Sequence, residues 1–229
     1  MFWSDEDDKK KGFTIPDDVV DLAFRINCPT LPLDHAHALS ASLLESLPWL
    51  KDEEYAAIHL IHGAASGNGW FRPEDVKNEL LHLSRRTRMR LRLPRHRLDD
   101  ARELIGKTLD IAGHPLEIGK SEVFLLSSLS TQFARYIVTS EDIDETQFLE
   151  EAAQELKSIG VSTRKLLGGI THALDFPDGV VFTRSLMVAD LEPEQSVRLQ
   201  QAGLGEGRTI GCGIFLPHKG IKAVKEEDD

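Results

Sequence analysis

The sequence predicts an α+β fold of two ferredoxin-like units in tandem, with a glycine-rich loop near the C-terminal end. Three observations predict it. Each half of the chain shows strands and helices in the order strand–helix–strand–strand–helix–strand, with extra hairpins, and this is the order of a ferredoxin-like unit. The length of 229 residues suits one large domain or two small ones that share an interface. The hydrophobic content of 41% is sufficient for folded cores.

The chain is predicted to divide into four segments, with the boundary between the two units near residues 125–130. The segments are a disordered tail, acidic and then basic (1–15), a first ferredoxin-like unit (16–127), a second unit that includes the glycine-rich loop 203–213 (128–222), and an acidic tail (223–229).

Apolar periodicity predicts the elements of the first half. A helix is indicated where leucines recur at helical spacing after Asp34, a predicted N-cap, and strands are indicated where apolar residues alternate. In chain order the predicted elements are a strand (19–28), a helix (34–47), a strand (55–63), further strands (79–84 and 86–94), a short helix (97–106) and a hairpin (107–119) that turns at Ala112-Gly113.

The second half repeats this order. Its most regular element is an amphipathic helix at 144–160, whose apolar residues lie on one side. In chain order the predicted elements are a strand (131–140), that helix, a hairpin (171–191) that turns at 177–179, a last helix (192–203), the glycine segment and a final strand (211–217).

Composition also bears on compartment and partners. The net charge of −11 argues against a generic coat for nucleic acid, although four of these charges come from Glu226–Asp229 alone. Cys28 and Cys212 lack metal-ligand spacing and are expected to pack in the core of a protein in a reducing cytoplasm. Neither a secretion signal nor an apolar stretch of roughly 20 residues is evident, so no membrane association is expected.

Seven arginines occur in the thirteen residues 85–97. In a strand, four of them share one face and recur about every 6.8 Å. They are Arg86, Arg88, Arg90 and Arg92. Guanidinium groups bind phosphate with bidentate geometry, so the spacing predicts a phosphate-binding stripe with RNA as the candidate polyanion. The alternative is a solvated edge strand whose arginines pair with neighbouring Asp and Glu.

The glycine segment is the second unusual feature. Its glycines are Gly203, Gly205, Gly207, Gly211 and Gly213. It lacks the Gly-Lys-Ser/Thr of a P-loop, and a helix precedes it where a dinucleotide fingerprint requires a strand. Such a cluster indicates close approach of the backbone to a neighbour or to a ligand.

The spacing GLG at 203–205, five residues, then GCG at 211–213 resembles the C-terminal loop of the RAMP superfamily. The resemblance is to the CRISPR-associated repeat endoribonucleases of that superfamily (the Cas six family), in the subtype first described from myxobacteria. Four further stretches resemble motifs of that subtype: RTIGCGIFLPHK, LPLDHAHALSASL, IHLIHG and SRRTRMRLRLP.

The resemblance implies two ferredoxin-like halves and cleavage of the CRISPR repeat in precursor RNA, without a metal or a cofactor. In this reaction the 2′-hydroxyl attacks the adjacent phosphate and leaves a 2′,3′-cyclic phosphate and a 5′-hydroxyl. The implied partners are a CRISPR repeat RNA, as a stem-loop, and the subunits of an effector complex that receives the retained product.

The reaction needs a base, an acid and cations beside the phosphate, and the pKa of histidine suits the first two roles. The resemblance favours His35 by its position at the start of the first helix; His37 lies where family members commonly carry Tyr, and His59 lies in the matching IHLIHG segment. Arg208 and Lys219 are further candidate phosphate ligands. They add to the arginine stripe, which is the name used below for Arg86, Arg88, Arg90 and Arg92.

Two other functions remain open from the sequence. One is a non-catalytic RNA-binding scaffold of the same superfamily, whose histidines serve only structure. The other is an acidic interaction module that binds no nucleic acid, which the net charge favours.

Overall fold

The computed structural model describes residues 13–63, 79–162 and 165–218, which form two larger antiparallel sheets, a small two-stranded sheet and four α-helices. The strands are β1 (Val19–Asn27), β2 (Thr30–Pro32), β3 (Ala57–Ile58), β4 (Leu80–His82), β5 (Arg88–Pro94), β6 (Thr108–Ile111), β7 (His114–Leu125), β8 (Gln132–Val138), β9 (Lys165–Phe176), β10 (Gly179–Ala189) and β11 (Phe215–Pro217). The helices are α1 (Ala36–Ser46), α2 (Leu98–Arg102), α3 (Glu145–Ser158) and α4 (Pro193–Ala202).

The first sheet has the strand order β3-β5-β1-β7-β6, with β1 at its centre. In the register of β1 and β5, Leu22 lies opposite Leu91 and Phe24 opposite Met89. All four side chains are fully buried, and leucines of α1 pack on the same face of the sheet. The two-residue side-chain period therefore gives this sheet one apolar face and leaves the arginines of β5 on the other.

The second sheet has the strand order β11-β8-β10-β9. Its core contains Ala134, Leu186 and Phe215, together with residues of α3 and α4. The carboxylate of Asp144 accepts a hydrogen bond from the backbone N–H of Gln147, which caps the start of α3. None of the helices in the three described segments is long and apolar enough to cross a membrane.

The predicted helices and hairpins are confirmed, with bounds that differ by a few residues. The predicted turn at Ala112-Gly113 has positive φ at both residues, 51° and 84°, as a two-residue hairpin turn requires. Both cysteines are buried, as expected, and burial raises the pKa of the Cys212 thiol to about 12.

Three local predictions are wrong. Asp34 does not cap α1, because its carboxylate accepts a hydrogen bond from the Asp175 backbone N–H of β9 at 2.8 Å. The predicted strand 55–63 is reduced to the two residues of β3, and the predicted strand 211–217 is reduced to β11. In both places the chain leaves the sheet to contact the other half of the protein. The pattern of neighbouring residues cannot predict such a contact, because it depends on a distant segment.

Arg92 joins the two halves. Its guanidinium donates to both carboxylate oxygens of Asp21, at 2.8 and 3.0 Å, and to the backbone carbonyls of Gln200 and Phe215, at 2.8 and 3.0 Å. Asp21 and Arg92 lie opposite each other in the first sheet, whereas the two carbonyls belong to α4 and β11. One fully buried cation therefore connects the first sheet to the second half.

Candidate functional site

The glycine-rich loop packs against the first half of the protein. A Cβ at Gly211, whose φ is +90°, would overlap the side chain of Leu60, and a Cβ at Gly213 would overlap the backbone carbonyl of Leu204. The Gly213 N–H donates to the Tyr136 carbonyl of β8 at 2.7 Å. The neighbours that these two glycines approach closely are therefore protein atoms of both halves.

Arg208, within this loop, was predicted to bind phosphate, and its environment is different. Its guanidinium donates to the carbonyls of Tyr55 and Ala56, at 3.2 and 3.3 Å, and to the carbonyl of Ala202. Burial lowers the pKa of Arg208 to about 10. We correct its assignment to a structural cation, because these three bonds connect the end of α4 to the first half and use three of its five N–H donors.

His35 is also structural. Its ring is 2% exposed; its Nδ1 lies 3.0 Å from the Pro32 carbonyl, and its Nε2 accepts from the Ile61 N–H at 3.0 Å. These contacts require the neutral tautomer with the proton on Nδ1. A ring with both nitrogens bound to the backbone is poorly placed to exchange protons with a substrate, so the assignment of His35 as a catalytic residue is corrected.

We expect His35→Ala to destabilise the fold by about 2–4 kcal/mol, because the buried Ile61 N–H loses its acceptor and a cavity forms. Urea unfolding would measure the loss. His37→Ala is the matched control two residues away, and its exposed ring predicts a change of less than about 0.5 kcal/mol. Equal stability of wild type and His35→Ala would contradict the structural role.

His59 lies beneath the surface, beside the Arg92 pair. Its Nε2 is 3.4 Å from Asp21 Oδ1, and burial lowers the pKa of its imidazole. His37 differs from both other histidines predicted as catalytic, because it is exposed on the first turn of α1. The Phe176 ring contacts it edge-on, with a centroid distance of 5.6 Å. Of the three predicted histidines, only His37 is open to solvent.

A cleft of about 90 Å³ lies where the segment after β3, the glycine-rich loop and the second sheet meet. We call it the interface cleft. It is lined by His59, Leu60, His62, Phe133, Arg135, Tyr136, Gly211, Ile214 and Leu216. It combines two imidazoles, a guanidinium and a phenol with apolar walls, which is the composition of a ligand site.

His62 is the titratable group that stands out in the interface cleft. Burial, followed by the positive charge of Arg135, lowers its pKa to about 3. The imidazole is therefore neutral near neutral pH and can accept a proton. A phosphate bound beside Arg135 would raise this pKa, because a negative charge favours the imidazolium.

Sequence reasoning missed this group of residues. His62 lies in the IHLIHG segment, in which the sequence predicts only His59 as a catalytic residue. The Tyr136 and His172 rings are in edge-on contact at 5.4 Å, on two strands of the second sheet. No spacing in the sequence connects residue 62 with residues 135 and 136, because only the docking of the two halves brings them together.

The arginine stripe is present only in part. Arg86 is exposed in the turn before β5, and Arg88 and Arg90 are half-buried on the open face of the sheet. Arg92 is 0% exposed and saturated with hydrogen bonds, so we correct its assignment from RNA ligand to structural cation. Lys219 lies outside the described residues.

The remaining groups do not suggest a metal centre. Within residues 13–63, 79–162 and 165–218, no three His, Cys, Asp or Glu side chains come close enough together to hold a metal ion.

Comparison with known proteins confirms the resemblance seen in the sequence. Residues 20–220 match the model of the family described as Cas6 Crispr. The CRISPR-associated endonuclease Cas6 of Myxococcus xanthus (strain DK1622) is 31% identical over 198 residues, which cover 86% of this chain and 81% of that protein.

Solved structures agree at the level of the fold. A CRISPR-associated protein Cas6 superposes with a TM-score of 0.62 at 10% identity, over 88% of this chain and 100% of that one. The structure from a Cas6-related gene of Pyrococcus furiosus gives 0.58 at 11% identity, over 86% and 98%. On the family match and the myxobacterial relative, the chain belongs to the Cas6 family.

Proposed function

We propose that this protein is an endoribonuclease that cleaves CRISPR repeat RNA in precursor transcripts by 2′-hydroxyl attack, without a metal ion. The observation that carries the proposal is the interface cleft, where neutral His62 and the cation Arg135 lie beside the glycine-rich loop. Membership of the Cas6 family and the myxobacterial relative, which is named an endonuclease, support it. The mature guide RNA stays bound and passes to an effector complex.

We also propose the division into two ferredoxin-like units, over residues 16–127 and 128–222. Four strands of the first sheet have the order β3-β5-β1-β7, and the second sheet has the order β11-β8-β10-β9. In chain order, the four strands of the first half are β1, β3, β5 and β7, and those of the second half are β8, β9, β10 and β11. In both sheets the first of these four strands lies between the third and the fourth. This correspondence supports the division, with residues 203–213 as the family's glycine-rich loop.

The chemistry is assigned to His62 and Arg135 of the interface cleft and to His37 of α1. His62 takes the proton of the 2′-hydroxyl, and the 2′-oxygen then forms a bond to phosphorus. Arg135 stabilises the extra negative charge of the phosphorane. The bond from phosphorus to the 5′-oxygen breaks, and His37, the exposed histidine on α1, protonates that oxygen. The products are a 2′,3′-cyclic phosphate and a 5′-hydroxyl.

Cleavage of a labelled repeat RNA from the source organism's own CRISPR array, with EDTA present, tests this function. We expect one cut in the natural RNA and none in a copy with a single 2′-deoxy substitution at the cut site. Co-migration of the product with the protein in a native gel would demonstrate retention. Cleavage of the 2′-deoxy copy, or activity that EDTA abolishes, would refute the mechanism.

A non-catalytic RNA-binding scaffold subunit is the second candidate. The observation in its favour is that His35 and His59 are both buried in structural contacts. Tight binding of the repeat RNA without any cut would favour the scaffold over the endoribonuclease.

A further inference from the structure

The open face of the first sheet carries a group of residues that the cleavage chemistry does not use. Arg25 of β1 lies directly opposite Arg88 of β5, and Arg90 is the next residue of β5 on that face. Phe124 of β7 lies within reach, with the Arg90 guanidinium 5.5 Å from the centre of its ring. We call Arg25, Arg88, Arg90 and Phe124 the arginine face.

The charges of the arginine face are not balanced by ion pairs among the described residues. Like charges directly opposite each other destabilise an antiparallel pair. None of the three arginines forms an ion pair with a carboxylate of the described residues, although the chain has 38 acidic residues against 27 basic ones. Four nearby arginines are paired in this way: Arg92, Arg95, Arg97 and Arg102. The face therefore has the charge distribution of an anion-binding surface.

Phe124 is the second feature of the arginine face that indicates which kind of anion it binds. It is 40% exposed on a sheet face that carries charged side chains. A flat aromatic ring beside guanidinium groups is the combination that binds single-stranded nucleic acid, because a base stacks on the ring while the cations bind its phosphates. A duplex has no unstacked base to offer to such a ring.

We propose that Phe124 stacks an unpaired base of the repeat RNA, outside its stem, while Arg88 and Arg90 bind the adjacent phosphates. That the RNA is a CRISPR repeat rests on the proposed function. The part of the RNA that the arginine face recognises is its unpaired segment. Glu122 lies on the same face, across β1 from Arg90, and repels phosphate. The RNA backbone therefore follows the β5 side of the ring.

Two repeat RNAs, one with unpaired flanks and one trimmed to the stem-loop, test the proposal by equilibrium binding. We expect Phe124→Ala to raise the Kd of the flanked RNA by about 5- to 150-fold, since stacking contributes about 1–3 kcal/mol per base. The Kd of the stem-loop should change less than about twofold. Phe124→Trp should retain the affinity, and Leu125→Ala, at an exposed residue of the same strand, is the matched control.

An abasic scan of the flanked RNA identifies the stacked nucleotide. One abasic position should weaken binding to the wild type and have no further effect on Phe124→Ala. Unchanged binding of both RNAs by Phe124→Ala, or an equal loss with Leu125→Ala, would overturn the proposal and favour a protein partner for this face. If Phe124→Ala still cleaves and binds as the wild type does, only this inference fails. If the wild type cuts no RNA but the stacking effect is present, only the proposed cleavage fails.

Discussion

His62→Ala should reduce the single-turnover rate of repeat cleavage by about 10²- to 10⁴-fold, the usual contribution of a positioned general base. Binding of the repeat RNA should change less than about threefold, because the proposed phosphate contacts come from arginines. Burial and Arg135 lower the pKa of His62 to about 3 in the RNA-free protein, so its imidazole is neutral near neutral pH. The negative charge of a bound phosphate raises this pKa toward the range in which an imidazole is an effective general base. Denaturing gels give the rate, and filter binding gives the Kd.

Two variants control this prediction. His62→Gln keeps a polar side chain of similar length but cannot accept the proton, so it should be as inactive as His62→Ala. His96→Ala removes a histidine whose side chain is 66% exposed, and it should cleave like the wild type. Full activity of His62→Ala together with loss of activity in His37→Ala would place the base on α1 instead of the interface cleft.

Arg92→Met should destabilise the protein by about 3–5 kcal/mol, because it leaves the Asp21 carboxylate buried without its main partner. Urea unfolding midpoints measure this loss. The double variant Asp21→Leu with Arg92→Met should recover part of the stability, since no unpaired charge then remains. Arg95→Met removes an exposed arginine that pairs with Asp17, and it should cost less than about 1 kcal/mol.

The same pair predicts how stability depends on pH. Burial alone would raise the pKa of Asp21, but the positive charge of Arg92 and the contact with His59 outweigh it, so the pKa lies well below its ordinary value. This stabilisation is complete above the unfolded-state pKa of about 4 and is lost as the pH falls through the folded-state value. The free energy of unfolding should therefore fall less steeply below pH 4 in Asp21→Asn than in the wild type. Equal slopes would contradict the low pKa.

Local patterning was sufficient to predict the main elements of the fold. The helices α1, α3 and α4 follow from apolar residues at helical spacing, and β1 and β5 follow from alternation, because both signals depend only on residues a few positions apart. The same alternation placed Arg88 and Arg90 on the face opposite Met89 and Leu91. Glycine spacing and scattered motifs were enough to indicate the family.

The roles of the individual residues depended on the tertiary structure. Arg92 continues the alternation of Arg88 and Arg90, but α4 and β11 of the second half contact Arg92. The same residue type is therefore a fully buried cation at one position and half-buried at the other two. The surroundings also give His35 and His62 different roles. The backbone of residues 32–33 and 61 encloses His35, whereas His62 lines the interface cleft. Side-chain chemistry and its spacing along the chain were available from the sequence. Burial and charge partners from distant segments decided which of these groups meet a substrate, because both are set by how the halves pack.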